Sequence, residues 1–177
     1  MCALPWPSPP LSDGVVTLRP WQPDDIPAML VAFHDPVFQR FSDWAPLTDA
    51  AAREHFSDLE RARLRGEVLD LAIVDPAVLG GVSLHGVAGE RGRIGYWLAP
   101  DARGRGVATR AVRLLVRWAF DAVGLTRLEL TCGPDNVASH CVAERCGFRR
   151  EALLRAHQPF KGGMRDSVVY GLQNTRL

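Results

Sequence analysis

An arginine- and glycine-rich turn separates two structured segments in the second half of the chain. The turn spans residues 102–109; residues 93–98 before it predict a strand, and residues 110–120 after it predict a helix. The first turn of a helix exposes unpaired N–H groups and carries partial positive charge. Glycines let that backbone approach a ligand, and a phosphate is the expected guest. Arg103 and Arg105 add full charges at the same place.

The glycine spacing excludes two common phosphate-binding motifs. A nucleoside-triphosphate loop would end in Gly-Lys-Ser/Thr, which is absent, and the third glycine of a Rossmann fingerprint would fall at Thr109. The turn therefore predicts an anion site of another kind.

Composition is that of one ordinary globular domain. The chain has 177 residues, 47% hydrophobic and 23% charged, with a formal net charge of +1. Such a charge does not favour nucleic acid or an anionic membrane as partner, although many arginines cluster between Arg91 and Arg117. The four cysteines have no metal-ligand spacing, so no metal is expected, and free thiols indicate a reducing, cytoplasmic location.

The predicted elements form a single α/β domain over residues 14–177, after a flexible proline-rich tail over residues 1–13. Strands are predicted at 15–19, 68–74, 78–86, 93–98, 127–132, 148–156 and 167–172. Helices are predicted at 24–33, 36–41, 49–64, 110–120 and 137–146. The order predicts a mixed, mostly antiparallel sheet with one parallel step at the turn, where ligands tend to bind.

The second half resembles the ribosomal-protein alanine acetyltransferase (RimJ/RimL-like) branch of the GCN5-related N-acetyltransferases (GNAT). Five motifs carry the resemblance, in the order of that branch: Gly95-Tyr96-Trp97-Leu98, Arg103-x-x-Gly106-x-Ala108, Trp118-Ala119-Phe120, Asn136-Val137-Ala138-Ser139 and Cys146-Gly147-Phe148. The resemblance implies a GNAT fold with helices on both faces and a sheet that splays between its fourth and fifth strands. It also implies N-acetyltransferase activity and, often, a homodimer.

Acetyl-CoA is the cofactor that the resemblance implies. Its pyrophosphate would lie on the loop formed by Arg103, Gly104, Arg105, Gly106, Val107, Ala108 and Thr109. Pantetheine, a chain of amides, would pair with the strand edge at Trp97, Leu98 and Ala99, and Arg145 would lie near the adenosine end. The Asn136 side-chain amide would hydrogen-bond to pantetheine or to the thioester; its alternative role is that of a helix N-cap.

The acyl transfer needs an oxyanion donor, an acid and a base. The resemblance implies the Leu98 N–H as oxyanion donor and Ser139 as the acid that protonates the thiolate, with an ordinary helix-start serine as the alternative. Some members place a glutamate at the position of Gln158, which cannot accept a proton. The candidates that remain for the base are Glu151, Asp166 and His85, whereas His34, His55 and His157 are expected elsewhere.

The acceptor is predicted to be a primary amine, bound by Phe38, Phe41, Trp44, His85 and Phe160. A protein α-amino group, with a pKa of about 7.7–8.0, needs less base strength than a lysine at about 10.4. Three alternatives stay open. The acceptor could be a small-molecule amine (an antibiotic, a polyamine or an amino acid), or the acyl donor could be another one such as succinyl-CoA, with Arg40 facing it. The third alternative is a non-catalytic CoA-binding module, which Gln158 supports. A nucleic-acid role rests only on the arginine cluster.

Overall fold

A computed structural model describes residues 3–46 and 48–175 as one mixed sheet with helices on both faces. The strands of the described residues are β1 (Leu11–Ser12), β2 (Thr17–Arg19), β3 (Val68–Asp75), β4 (Ala77–Ala88), β5 (Arg91–Leu98), β6 (Arg127–Cys132), β7 (Arg149–Phe160) and β8 (Gly163–Gln173). The helices are α1 (Ile26–Phe33), α2 (Pro36–Phe41), α3 (Asp49–Leu64), α4 (Val107–Asp121) and α5 (Val137–Arg145). The predicted fold class is confirmed.

The sheet has the order β1-β2-β3-β4-β5-β6-β8-β7, and only β5 and β6 run parallel. These two strands pair over Arg91–Ile94 and Arg127–Leu130 and then separate. Strand β5 continues to Leu98 and β6 to Cys132 without a shared ladder. This is the predicted splay, and it opens a gap at the carboxyl ends of the two parallel strands.

The main core lies between the sheet and α4. Alternate residues of the strands point to one face because strand side chains alternate, and Leu71, Leu84 and Leu128 are completely buried there. Helix α4 adds an apolar stripe that includes Leu115, which is also completely buried. Its arginines at 110, 113 and 117 are exposed, which is the solvated basic face expected of a helix on the surface.

The opposite face of the sheet is covered by α1, α2 and α3. Met29 and Phe33 are buried there beside the partly buried rings of Trp21 and Trp97. Two caps set the helix starts: the Asp35 carboxylate accepts from the first N–H groups of α2, and the Thr48 hydroxyl accepts from the Ala51 N–H of α3. These caps position the aromatic residues of α1 and α2 over the sheet.

The N-terminal segment differs from the predicted loose tail. Leu4 is buried, and it exchanges hydrogen bonds with the last turn of α3: its N–H donates to the Arg63 carbonyl (3.0 Å), and its own carbonyl accepts from the Arg63 guanidinium (2.6 Å). Strand β1 adds itself to β2, and Asp13 pairs with Arg110 (2.7 Å). Met1 and Cys2 of the predicted tail lie outside the described residues.

The closing strands are longer than predicted and form a hairpin. Lys161 (φ 50°) and Gly162 (φ 78°) make its two-residue turn, in which both residues need a positive φ. The ladder between β7 and β8 is interrupted between Leu154 and Gln158, where the extra residues form a bulge. The hairpin therefore reaches further across the molecule than the sequence indicated.

Candidate active site

A cavity of about 1020 Å³ lies over the splay and extends across one face of the sheet. One part is lined by the loop before α4 and by the start of α5. The other part is lined by α2, α3 and by residues of β3, β4 and β5 on the face that the three N-terminal helices cover. The two parts meet at the ends of β5 and β6, so a ligand that spans them would pass through the gap between these strands.

The loop before α4 has the geometry of an anion cradle. Gly104 (φ 71°) and Gly106 (φ 77°) both adopt the left-handed conformation that favours glycine. A Cβ at either position would meet no atom within 4 Å, so the space above the loop is open and the glycines are needed for their backbone angles. The first intrahelical bond runs from the Arg110 N–H to the Gly106 carbonyl, which leaves the N–H groups of residues 107–109 for a ligand.

The arginines of this loop make contacts that the sequence did not indicate. Arg103 donates to the Asp35 carboxylate (2.5 Å) and to the Leu98 carbonyl (3.2 Å). This contact lowers the pKa of Asp35. Arg103 therefore ties α2 to the end of β5 through one guanidinium nitrogen, and its side chain also lines the cavity. Arg105 is exposed and donates to the Asp101 carbonyl (3.3 Å).

The edge of β5 presents Leu98 to the gap. The Ala99 N–H donates to the Leu79 carbonyl of β4 (2.8 Å), and Trp97 lies opposite Gly81. Because N–H groups alternate in direction along an antiparallel pair, residues 97 and 99 face β4, and Leu98 faces away from it, towards β6. Strand β6 has already diverged, so the Leu98 N–H points into the gap. Of the three residues predicted to form the strand edge, 97–99, Leu98 is the one whose N–H is directed into the gap.

Asn136 and Ser139 lie together at the start of α5. The Asn136 side-chain oxygen accepts from the Ser139 N–H (3.2 Å), so Asn136 caps the helix, and both residues also line the cavity. The Ser139 hydroxyl lies 2.9 Å from the Tyr96 hydroxyl, on β5 across the gap. Burial raises the pKa of Tyr96 to about 12, so this phenol stays protonated at neutral pH. The sequence did not indicate the contact with Tyr96.

Aromatic rings form the wall of the cavity opposite the loop. Trp97 stacks on Trp21 (5.8 Å between centroids) and meets the edges of Phe33 (5.2 Å) and Phe38 (6.2 Å). Among the predicted acceptor residues, Phe38, Phe41, Trp44 and His85 line the cavity. Phe160 does not; it lies behind Arg165, whose guanidinium is 4.1 Å from its ring centre.

The β7–β8 hairpin closes over the acceptor side of the cavity. The Lys161 N–H donates to the Asp43 carboxylate (2.7 Å), and the Lys161 ammonium donates to the Gln39 carbonyl. Arg165 donates to the Phe41 carbonyl (3.2 Å) and lines the cavity. These contacts hold the hairpin on α2 and the loop after it, and they make Arg165 a cation of the cavity wall.

The other predicted cations divide between the two regions. Arg145 lines the cavity at the end of α5, and its carbonyl accepts from Arg113. Arg40 is exposed and pairs with Asp135 (3.4 Å), outside the cavity lining. Arg40 therefore does not support the succinyl-CoA alternative, because it does not line the cavity.

Sequence reasoning missed two ionisable groups of the cavity. His55, expected at the surface, lines the cavity against Trp44 (4.8 Å between centroids), and burial lowers its pKa. Asp70, on β3, accepts from the Trp21 indole (2.6 Å), and burial raises its pKa to about 7. Alternation along the predicted strand at 68–74 could have indicated which of its faces bears Asp70.

No group of histidine, cysteine and carboxylate side chains in the described ranges has the geometry of a metal site.

Three features define the class of protein: the sheet splayed at a parallel step, the N–H cradle beside it and the strand edge in the gap. Together they are those of a transferase of acyl groups from a phosphate-bearing thioester. No helix within these ranges is long and apolar enough to cross a membrane.

Comparisons with known proteins agree with this class. Residues 16–149 match the family model of the acetyltransferase (GNAT) domain. The chain is 28% identical over 163 residues to p20, an uncharacterized N-acetyltransferase of Bacillus licheniformis, covering 89% of this chain and 92% of that protein. It is similar in structure to Mycobacterium smegmatis RimJ in complex with CoA-disulfide, with a TM-score of 0.84 and 26% identity over 95% of this chain and 86% of that one.

A second solved structure is RimL, a ribosomal alpha-N-protein acetyltransferase in complex with coenzyme A. It has a TM-score of 0.83 and 23% identity, and the match covers 93% of this chain and 96% of that one. The chain belongs to the GNAT acetyltransferase family, because the family model covers most of its length. The recognition made from the motifs is therefore confirmed.

Proposed function

We propose that this protein transfers the acetyl group of acetyl-CoA to the α-amino group of a protein or peptide. The observation that carries the proposal is the pairing of two groups at the splay: the Leu98 N–H points into the gap, and the Ser139 hydroxyl faces it from α5. A thioester in the gap would have a donor for its oxygen and an acid for its sulfur.

The donor side suits acetyl-CoA along its whole length. The N–H groups after Gly104 and Gly106 would hold the pyrophosphate, and Arg145 lies at the far end of α5 for the adenosine phosphate. The gap at Leu98 would take pantetheine. The RimJ and RimL structures named above contain a CoA disulfide and CoA, respectively, which supports this assignment.

The chemistry is direct attack in a ternary complex. The amine nitrogen attacks the thioester carbon, and the oxygen gains negative charge that the Leu98 N–H stabilises. The carbon–sulfur bond then breaks, and the thiolate takes the proton of Ser139. The Tyr96 hydroxyl, which stays protonated, lies 2.9 Å from the Ser139 oxygen; donation from Tyr96 to that oxygen would turn the serine proton towards the sulfur.

The acceptor side suits an amine acceptor, and the absence of a strong base at the predicted position favours an α-amino group. Its aromatic wall, with Phe38 and Trp97, excludes water from the reacting carbon. An α-amino group is partly neutral near pH 7.5, so it needs only a weak base, and the position predicted for a strong one holds Gln158, outside the cavity lining. RimL, a ribosomal alpha-N-protein acetyltransferase with 23% identity to this chain, supports the same class of acceptor.

Two matched peptides test this assignment. One has a free N-terminus and dimethylated lysines; the other has a blocked N-terminus and free lysines. We expect acetylation, located by mass spectrometry, on the first peptide alone. Acetylation of the second at an equal or higher rate would overturn the α-amino assignment, and acetylation of small amines alone would favour the small-molecule alternative.

Homodimer formation and a cytoplasmic location stay predictions.

A further inference from the structure

The transfer releases a proton from the attacking amine, and the two carboxylates considered from the sequence are both occupied. Glu151 is paired with Arg127 (2.5 Å), and Asp166 is paired with Arg155 (2.7 Å). Gln158 can take no proton and does not line the cavity. The proton must therefore go to another group of the cavity or directly to water.

His85 lies on the floor of the cavity, close to the reacting end of β5. Its backbone is opposite Arg93, but its ring leans forward over Gly95: a Cβ at Gly95 would lie 3.1 Å from His85 Cε1. The absence of a side chain at Gly95 is what gives the ring this room. Leu98 follows three residues later, about 10 Å further along the strand, a span that the amine and one or two waters can fill.

The surroundings of His85 keep its ring neutral. Burial, and then the positive charge of Arg93, lower the pKa of His85. Its Nδ1 lies 3.4 Å from the Ser83 hydroxyl, and no other described residue hydrogen-bonds to the ring. A neutral imidazole with a free nitrogen in a cavity large enough to admit water is suited to accept a proton near pH 7.

Other ionisable groups share the cavity with His85. Strand β3 contributes Asp70, in the position opposite Ser83. The remaining charged side chains of the lining come from α3, from the loop before α4, from α5 and from β8, together with a second histidine on α3: Asp58, Arg61, Arg65, Arg103, Arg145, Arg165 and His55. Asp70 is the competing proton acceptor, because its carboxyl is held by the Trp21 indole and by no cation.

We propose that His85 is the general base of the transfer and takes the proton of the acceptor amine through one or two bridging waters. The ammonium proton of the acceptor passes through water to the imidazole, and the neutral amine then forms the nitrogen–carbon bond. The carbon–sulfur bond breaks with the electron pair going to sulfur, which takes the Ser139 proton, and a second proton of the nitrogen returns through water to the serine oxygen. The imidazolium returns its proton to solvent before the next cycle. This assignment rests on the proposed function.

The test is the pH dependence of acetylation in a His85→Gln variant. The acceptor is the free N-terminal peptide that the wild type acetylates fastest. At pH 6.5–7 we expect kcat at least about tenfold below that of the wild type, with KM for acetyl-CoA changed less than threefold. The deficit should shrink as the pH rises above 8, because the amine is then neutral without help. Added imidazole should restore part of the rate at low pH.

A second variant reaches the ring without removing it. Gly95→Ala places a methyl group 3.1 Å from both His85 Cε1 and the Ser83 oxygen, so it should displace the imidazole and give a smaller loss with the same pH dependence. His34→Gln, at an exposed position after α1, is the matched control and should keep wild-type rates at every pH.

Three results would overturn the assignment. One is a wild-type rate for His85→Gln at pH 6.5; another is a loss that is equal at all pH values in a variant that binds CoA normally. The third is a pH-recoverable loss in Asp70→Asn or His55→Gln with none in His85→Gln. No turnover by the wild type on any peptide would instead refute the proposed function, so the two failures are distinguishable.

Discussion

Single residues decide the chemistry at the gap, and one substitution tests the role of Ser139 directly. Replacing Ser139 by alanine removes the proposed acid and the partner of the Tyr96 hydroxyl, but it leaves the loop before α4 intact. We expect kcat to fall about 10²-fold and the Kd for CoA to change less than twofold, measured by thiol release and by titration. Unchanged turnover would exclude Ser139 as the acid.

Asp70 should make stability depend on pH in an unusual direction. Its pKa is raised to about 7 in the folded protein, against 3.8 for an ordinary aspartate. Between pH 4 and 7 the unfolded chain loses this proton and the folded protein keeps it, so the free energy of unfolding falls as the pH rises. Above pH 7 the Asp70 carboxylate is ionised in both states. The loss in the free energy of unfolding from burying this charge is then constant, on the order of a few kcal/mol.

The variant Asp70→Asn removes that cost and can still accept from the Trp21 indole. We expect the variant to be more stable than the wild type at pH 8, and the difference to disappear towards pH 4, in denaturant unfolding curves at a series of pH values. Asp75→Asn, an exposed carboxylate at the end of the same strand, controls for the loss of one charge. A difference that does not vary with pH would contradict the account.

At the scale of elements, the loop before α4 acts through backbone angles. Gly106→Ala forces an alanine into φ 77°, which costs about 1 kcal/mol and rotates the N–H groups of the cradle. We expect at least a fivefold weaker Kd for CoA in a titration.

Gly124, just after α4, has nearly the same angle (φ 78°) and the same open space, but it lies away from the cavity lining. The variant Gly124→Ala should lose a similar amount of stability and keep its affinity for CoA. Equal affinities in the two variants would show that the loop does not bind the cofactor.

The sequence predicted the elements whose signals are local. The glycines at 104 and 106 and the cap at Asn136 depend on neighbours within a few positions, whereas the splay between β5 and β6 was predicted from the family resemblance. The contacts that it missed join distant parts of the chain: Tyr96 with Ser139, and Trp21 with Asp70. Such contacts depend on strand register and on which helices cover the sheet, and neither is visible in one sequence.

The arginine of the loop shows the same limit in reverse. Its spacing predicted a phosphate ligand, which stays a prediction, and the structure adds an ion pair of Arg103 with Asp35, 68 residues earlier. A local pattern indicated correctly that the backbone forms a cradle, and it could not indicate a carboxylate brought there by α2.

At the scale of the whole molecule, the described residues form one sheet. Under the proposed function, the β5–β6 splay would receive the donor, and the N-terminal helices with the β7–β8 hairpin would enclose the acceptor. The N-terminal segment is part of this assembly, because Leu4 is buried against α3 and Asp13 pairs with α4. Both substrates must be bound for transfer, since the reacting groups come from both sides.

The central claim is that this protein catalyses transfer from acetyl-CoA to an amine. Its most direct test is the rate of thiol release from acetyl-CoA with free N-terminal peptides, lysine peptides, polyamines and aminoglycosides, beside a titration with CoA. We predict CoA binding and turnover that depends on the N-terminal peptides. Tight CoA binding with no thiol release on any acceptor would contradict the account and favour a non-catalytic CoA-binding module.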